Sequence, residues 1–312
     1  MIKNLLEAGA KIGRKVPASF VLNDMARAKL SSLRERGFVM FDHLVDSPEF
    51  TSVQADLQKR IEQDMNFEFP CLAQSLIDET KHSDLITKSF RVPLGELERR
   101  RLTFDRRDIK DYRDLISRYR PSTLKLLMPN NFDYFSLWLD PIVTAVIEGY
   151  MGFKPMLREA YIRRNFPCSY RVMNHNWHRD TNHKHHLLKA FIFFNDCKID
   201  TGAHRYIAGT TETSEFQDKI YYTDDEVEAC YPVVSRDHIV SEGPAGTIIL
   251  EDTRGLHKAG IPQRHYRDLG FAVFLPKILF ANNSGDFAIG RDIYAQLSDS
   301  QKGYISQSNI IE

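Results

Sequence analysis

Cysteine is scarce, with four residues in 312, at Cys71, Cys168, Cys197 and Cys230. They are widely separated and form no C-x-x-C pair, which excludes a disulfide scaffold and points to a reducing cytoplasm. An excess of one charge is also missing, because 42 basic residues balance 42 acidic ones. No whole-molecule field therefore exists to grip nucleic acid or an anionic membrane. No stretch approaches the roughly 20 apolar residues that a membrane helix needs. The opening MIKNLLEAGAKIGRKVP is broken by charges and lacks the apolar core of a signal peptide. The expectation is a cytoplasmic protein with neither a nucleic-acid partner nor membrane insertion. There is no repeat, low-complexity tract or flexible linker, and 42% hydrophobic with 27% charged residues is ordinary for a globular chain.

Two periodicities divide what is present. Asn23 or Asp24 can cap a helix in which Ala26, Leu30 and Leu33 recur at helical spacing before Gly37 breaks it. Residues 38–41 then read as a short strand. A second helical pattern runs over 47–65, with Val53, Leu57 and Ile61 on one face. Residues 80–120 are charge-rich with weak periodicity, and 140–149 reads as a helix begun at Pro141. From about 155 the pattern changes to short apolar runs separated by polar turns, with strands predicted over 190–194, 246–250 and 270–275. These features predict one α+β domain over 1–312 with a mainly β core. Residues 1–154 form a helical part with the first strands, 155–280 the β core and 281–312 a C-terminal extension.

His178-Arg179-Asp180 lies just before the 190–194 strand. If the chain is extended there, residues i and i+2 project from one face, and imidazole and carboxylate can bind one ion together. His257 follows the 246–250 strand and the polar run Glu251-Asp252-Thr253. Two histidines and one carboxylate on one side of a metal, with the other positions open, is the arrangement of non-haem iron(II) oxygenases. Arg267 opens the 270–275 strand and offers a fork matched to a carboxylate. Arg264, in the preceding turn, is its rival. Arg267 is preferred because a strand is a rigid mount, whereas a turn residue more often faces solvent.

Trp177-His178-Arg179-Asp180, the run 188–196, Gly202-Ala203, Ile207-Ala208-Gly209-Thr210 and the run from Gly243 through Asp252-Thr253 to Leu256-His257 resemble the phytanoyl-CoA dioxygenase-like family. That family contains iron(II)- and 2-oxoglutarate-dependent oxygenases, and the 33–39 segment echoes its first helix, glycine and strand. The resemblance implies a double-stranded β-helix, or jelly roll, with buttressing helices. It implies Fe(II) held by His178, Asp180 and His257, with 2-oxoglutarate and O2 as co-substrates. Arg267 would hold the far carboxylate of 2-oxoglutarate, and Asn165 matches a strand position whose amide contacts it. The implied reaction hydroxylates an unactivated carbon of a small molecule (a metabolite, natural-product intermediate, lipid or sugar), releasing succinate and CO2. Halogenating relatives lack the carboxylate that Asp180 supplies, so its presence favours hydroxylation. One departure is Ala259, where the family often has a small hydroxyl residue.

Several rival readings are weaker. His82-Ser83-Asp84 repeats the H-x-D pattern in a charged, helical stretch where i and i+2 point apart. His-Arg-Asp also begins a kinase catalytic loop, but His185 stands where that loop needs asparagine, and no D-F-G exists. His175, His183, His185 and His186 read as a polar loop at the cavity mouth, and Lys189 as a solvent-facing strand residue. Arg99, Arg100, Arg101, Arg106 and Arg107 are interleaved with acids and read as a solvated face. Nucleic-acid oxidation would need two arginines six apart after the distal histidine. The remaining alternative is a non-catalytic jelly-roll binding protein that keeps the metal and 2-oxoglutarate site.

Overall fold

The Asn23 side chain accepts the Ala26 N–H at 2.7 Å and starts α1 (Asp24–Arg36), whose buried stripe is Ala26, Leu30 and Leu33. Gly37 ends it in the left-handed region at φ 73°, and its N–H donates to the Leu33 carbonyl at 2.8 Å. Strand β1 (Phe38–Phe41) follows, then α2 (Pro48–Gln63), in which Val53, Leu57 and Ile61 are buried. The structure, a computed structural model, describes residues 22–63, 110–119, 123–127, 129–167, 171, 173–180, 187–277 and 287–312.

After α3 (Tyr112–Tyr119), β2 (Thr123–Leu127) and α4 (Phe132–Trp138), Asp140 caps α5 (Pro141–Met151) by accepting the Ile142 and Val143 N–H groups, each at 2.9 Å. This helix runs past Gly149, where the sequence pattern predicts its end. Gly149 is a packing position rather than a cap: a Cβ there would lie 2.7 Å from a Leu30 methyl of α1.

The β core comprises β3 (Met156–Asn165), β4 (Trp177–His178), β5 (Leu188–Phe193), β6 (Arg205–Ile207), β7 (Tyr221–Tyr222), β8 (His238–Val240), β9 (Ile248–Glu251), β10 (His257–Lys258) and β11 (Arg267–Leu275). The six-stranded sheet has the order β1-β9-β5-β11-β3-β2, and the five-stranded sheet the order β7-β4-β10-β6-β8. Every pairing within these two sheets is antiparallel. Alternation along each strand sorts side chains between two faces. Ile162, Ala190, Ile192, Leu250 and Ala272 join the helices in one core, while Tyr161, Phe191, Phe193, Ile249, Leu269 and Phe271 meet Tyr206 of the smaller sheet and Ala203 just before it.

One buried ion pair fastens the helical side to the strands that carry the site. Arg164 of β3 donates to Asp268 of β11 through Nε at 2.7 Å and Nη2 at 2.6 Å, and also to Tyr112 and Gln58. Both side chains are essentially fully buried. Their sequence neighbours Arg163, Asn165 and Arg267 face the opposite way, into the space between the sheets. Asp268→Ala leaves the Arg164 guanidinium buried without its counter-ion, and we expect a loss of about 3–5 kcal/mol in a denaturant titration. A loss below about 1 kcal/mol would show that the pair does not fasten the two layers. Among the described residues no helix is long and apolar enough to cross a membrane.

Candidate metal centre and carboxylate clamp

Sheet pairing brings two histidines together: His178 at the end of β4 is the register partner of His257 at the start of β10. Their ring centroids are 4.3 Å apart. The His178 Nδ1 lies 2.8 Å from the Asn176 carbonyl, and the His257 Nδ1 lies 2.9 Å from the Gly255 carbonyl. A carbonyl oxygen can only accept, so each ring carries its proton on Nδ1 and presents an unprotonated Nε2. Both Nε2 atoms face Asp180, 3.8 Å from its Oδ1 in one case and 3.8 Å from its Oδ2 in the other. The Asp180 N–H donates to the Thr253 carbonyl at 3.0 Å and holds the residue against the turn before His257.

One ligand atom from each of His178, Asp180 and His257 lies within 4.8 Å of the others, and no other such group occurs among the described residues. The donor set fits a borderline divalent metal bound on one side, with the remaining positions open. Charge states agree with that fit. Burial, reinforced by His178, lowers the His257 pKa to about 3, and burial also lowers that of His178. Burial of Asp180 opposes its ionisation. The Lys189 ammonium beside it outweighs that and holds the carboxyl below the usual carboxylate range. At neutral pH the site therefore offers two neutral imidazoles and one anion, the forms a metal requires. The Asp180 residue is exposed along its backbone, but its side chain retains only 22% exposure.

Lys189 corrects the sequence reading. It points inward rather than to solvent, and its ammonium contacts Asp180 Oδ2 at 2.5 Å. The reason is its parity on β5: Lys189 shares the inner face with Phe191 and Phe193. His175 is corrected too, being buried in the 3-10 turn Met173–His175 rather than placed at a cavity mouth. His183, His185, His186, the His82-Ser83-Asp84 triplet, the arginine cluster 99–107, Cys71 and Cys168 lie outside the described residues.

Arg267 is 2% exposed and stands opposite Asn165 in the β11–β3 register. Its Nη2 donates to the Asn165 Oδ1 at 3.2 Å, and the Asn165 Nδ2 donates to the Thr123 hydroxyl at 2.9 Å. The Arg267 Nε is buried without a hydrogen-bond partner, and no carboxylate among the described residues pairs with the guanidinium. Burial lowers its pKa, with Arg163 adding to the effect. A guanidinium still remains charged, so this buried cation calls for an anion that the described residues do not supply. Arg264 is exposed and has no part in this arrangement.

Two buried residues near the triad carry no signal in the sequence reading. Glu251, read there as part of a polar run, ends β9 fully buried, and its Oε1 lies 3.8 Å from the His257 Nδ1. His204 is also buried, with Nε2 2.7 Å from the Glu251 Oε2 but without hydrogen-bond alignment. Burial raises the Glu251 pKa to about 7 and lowers that of His204 to about 3. Both shifts favour the neutral forms, so this contact is not an ion pair. Glu251 is legible in hindsight as the residue two after Ile249 on one strand face, whereas nothing local marks His204.

These shifts have opposite consequences for stability. Burial lowers the pKa of His175, His204 and His257 to about 3. Their contribution is complete above the unfolded value of about 6.5 and is lost as pH falls toward 3. Glu251, raised to about 7, contributes fully below its unfolded value of about 4.3 and loses that contribution as pH rises through 7. Three groups outweigh one, so the Tm of the metal-free protein is expected to fall between pH 6.5 and 4.5. A Tm that rises on acidification across that window would contradict the buried, neutral histidines.

No protein-family model matches the chain, and no curated protein matches it by sequence. Solved structures do share its architecture. One is the epimerase SnoN in complex with Fe3+, alpha ketoglutarate and nogalamycin RO, at TM-score 0.50 and 12% identity over 80% of this chain and 83% of that one. Another is the non-heme alpha ketoglutarate dependent carbocyclase SnoK from nogalamycin biosynthesis, at TM-score 0.50 and 14% identity over the same shares, 80% and 83%. The chain is therefore an α+β protein, mainly β, built on the jelly roll found in these enzymes.

Proposed function

We propose that this protein is an Fe(II)- and 2-oxoglutarate-dependent dioxygenase that hydroxylates an unactivated carbon of a small-molecule substrate. One observation carries the reading: two Nε2 lone pairs and the Asp180 carboxylate converge on one point, and the same barrel holds the buried Arg267 without a counter-ion among the described residues. A metal answers the first requirement and a dicarboxylic co-substrate the second. The phytanoyl-CoA dioxygenase-like sequence features and the co-substrate named for SnoN and SnoK support the same assignment.

Bound iron(II), with 2-oxoglutarate and O2, supplies the oxidant, and succinate and CO2 leave as co-products. His178, Asp180 and His257 hold the metal from one side, with both Nδ1 protons committed to backbone carbonyls so that the rings cannot change tautomer. Arg267 pairs with the far carboxylate of 2-oxoglutarate, and Asn165, itself fixed by Thr123, orients the guanidinium. Lys189 contacts Asp180 Oδ2 and places a positive charge beside the carboxylate, which keeps it ionised. Phe191, Phe271 and Tyr161 line the adjoining wall and exclude water from the reacting carbon. The carboxylate-bearing triad supports hydroxylation over halogenation. Epimerisation and carbocyclisation, the reactions named for the two relatives, are told apart from it by the product.

In air, wild-type protein given Fe(II) and 2-oxoglutarate is expected to release succinate slowly even without a primary substrate, and a chelator should stop it. A productive substrate accelerates succinate release and gains one oxygen atom. Folded protein that makes no succinate under either condition would leave a non-catalytic binding protein as the better account.

A further inference from the structure

Among the described residues facing the space between the sheets, one arginine is used by neither the proposed metal site nor the co-substrate clamp. Asp180 faces the metal, Arg267 faces the far carboxylate of 2-oxoglutarate, and Lys189 sits on Asp180 with Glu251 as its register partner. Arg163 remains. It lies on β3, two residues before Asn165 and so about 7 Å along the same inner face. Its Nη2 donates to the Tyr161 hydroxyl at 2.8 Å, its Nε is buried without a partner, and no carboxylate among the described residues pairs with it.

An aromatic platform surrounds this guanidinium. Its central carbon lies 5.6 Å from the Tyr161 ring centroid and 5.5 Å from that of Phe271. Tyr161 and Phe271 stack at 4.7 Å and 26°, and Phe191 meets Phe271 edge-on at 5.6 Å. The wall continues to the metal site. The Lys189 ammonium, which contacts Asp180, is 5.3 Å from the Phe271 centroid, and Phe191 is 5.3 Å from His204. Asp180, Lys189, Phe271 and Arg163 therefore form one continuous surface with a cation at its far end.

We propose that Arg163 receives an anionic group of the primary substrate, a carboxylate or phosphate, whose apolar or aromatic body lies on Phe271 and Tyr161 toward the metal. This rests on the functional reading above, because Arg267 must already be taken by the co-substrate for Arg163 to be the free cation. Depth separates the two arginines: Arg267 is almost fully buried beside Asn165, whereas Arg163 is only half-buried and reachable. A guanidinium over aromatic faces is pre-organised for such a group, since the ring contacts hold its plane and leave N–H groups for charge-assisted hydrogen bonds.

The test uses anaerobic protein saturated with Fe(II) and 2-oxoglutarate, and measures binding of benzoate, phenyl phosphate and benzamide by calorimetry. Wild type is expected to bind at least one of the two anions about tenfold more tightly than benzamide, and whichever anion is preferred identifies the source of the charge. Arg163→Gln should abolish that preference, Arg163→Lys should retain part of it, and 2-oxoglutarate half-saturation should move less than about threefold in both. Equal binding of all three probes by wild type would overturn the proposal. So would an anion preference that survives Arg163→Gln, or a variant whose main defect is in 2-oxoglutarate binding. Near-ultraviolet circular dichroism confirms the fold of each variant, and Arg163→Lys serves as the charge-preserving check. Failure of wild type to bind 2-oxoglutarate is a separate outcome that overturns the metal and co-substrate reading together with this one.

Discussion

Replacing Asp180 with alanine is expected to lower metal-dependent succinate formation by at least about a hundredfold, because a metal-centred oxidant contributes several kcal/mol and each 1.36 kcal/mol is tenfold in rate. Among the described residues the carboxylate is the one anion that faces both Nε2 atoms, at 3.8 Å from each. Without it, two neutral imidazoles must hold a dication unaided. The fold should survive, since the Asp180 side chain is partly exposed and its backbone bond to Thr253 does not depend on the carboxylate. Metal content and succinate release, read beside an unchanged far-ultraviolet spectrum, check this. Retention of wild-type turnover by Asp180→Ala would remove the residue from the metal's ligands.

The second large effect concerns Arg267. Its guanidinium is buried, oriented by Asn165 and without a counter-ion among the described residues. Truncating one partner of a buried, hydrogen-bonded charge pair costs about 2–5 kcal/mol, so Arg267→Ala should raise the 2-oxoglutarate half-saturation by about a hundredfold or more. Turnover at saturating 2-oxoglutarate should fall much less, because the group binds a part of the co-substrate that does not react. Asn165→Ala should give a smaller shift of about tenfold, since it frees the guanidinium to reorient without removing the charge. Arg264→Ala should have no effect, its side chain being exposed. A co-substrate defect in Arg264→Ala with a normal Arg267→Ala would reverse the assignment of the clamp.

Local chemistry made the frame of the site legible from sequence. The capped helix ending at Gly37, the apolar runs of the large sheet and the H-x-D motif before β5 each depend on neighbours a few residues away. Arg267 was legible because strand parity at the start of β11 gives it a fixed direction. The parts that escaped depend on pairing between distant segments. The meeting of His178 with His257 follows from the β4–β10 register, and β4 is only two residues long, too short for a periodic signal.

Glu251 and Lys189 show the same limit from the other side. Their polar character suggests solvent, but they are register partners on adjacent strands and their parity turns both toward the barrel interior. His204 follows the left-handed Gly202, and only the tertiary fold places its ring 5.6 Å from that of His257. Arg163 and Arg164 are identical residues in sequence. One faces the aromatic wall and the other the buried Asp268, a difference that follows from strand alternation once the faces are known.

The central claim is that one barrel interior binds a divalent metal through His178, Asp180 and His257 and a dicarboxylate through Arg267. Anaerobic titration of Fe(II)-loaded protein with 2-oxoglutarate, followed by visible absorbance, tests it most directly. The account predicts a weak charge-transfer band that requires both components, is lost in Asp180→Ala and needs far more 2-oxoglutarate in Arg267→Ala. Folded wild-type protein that develops no band at saturating metal and 2-oxoglutarate would contradict it.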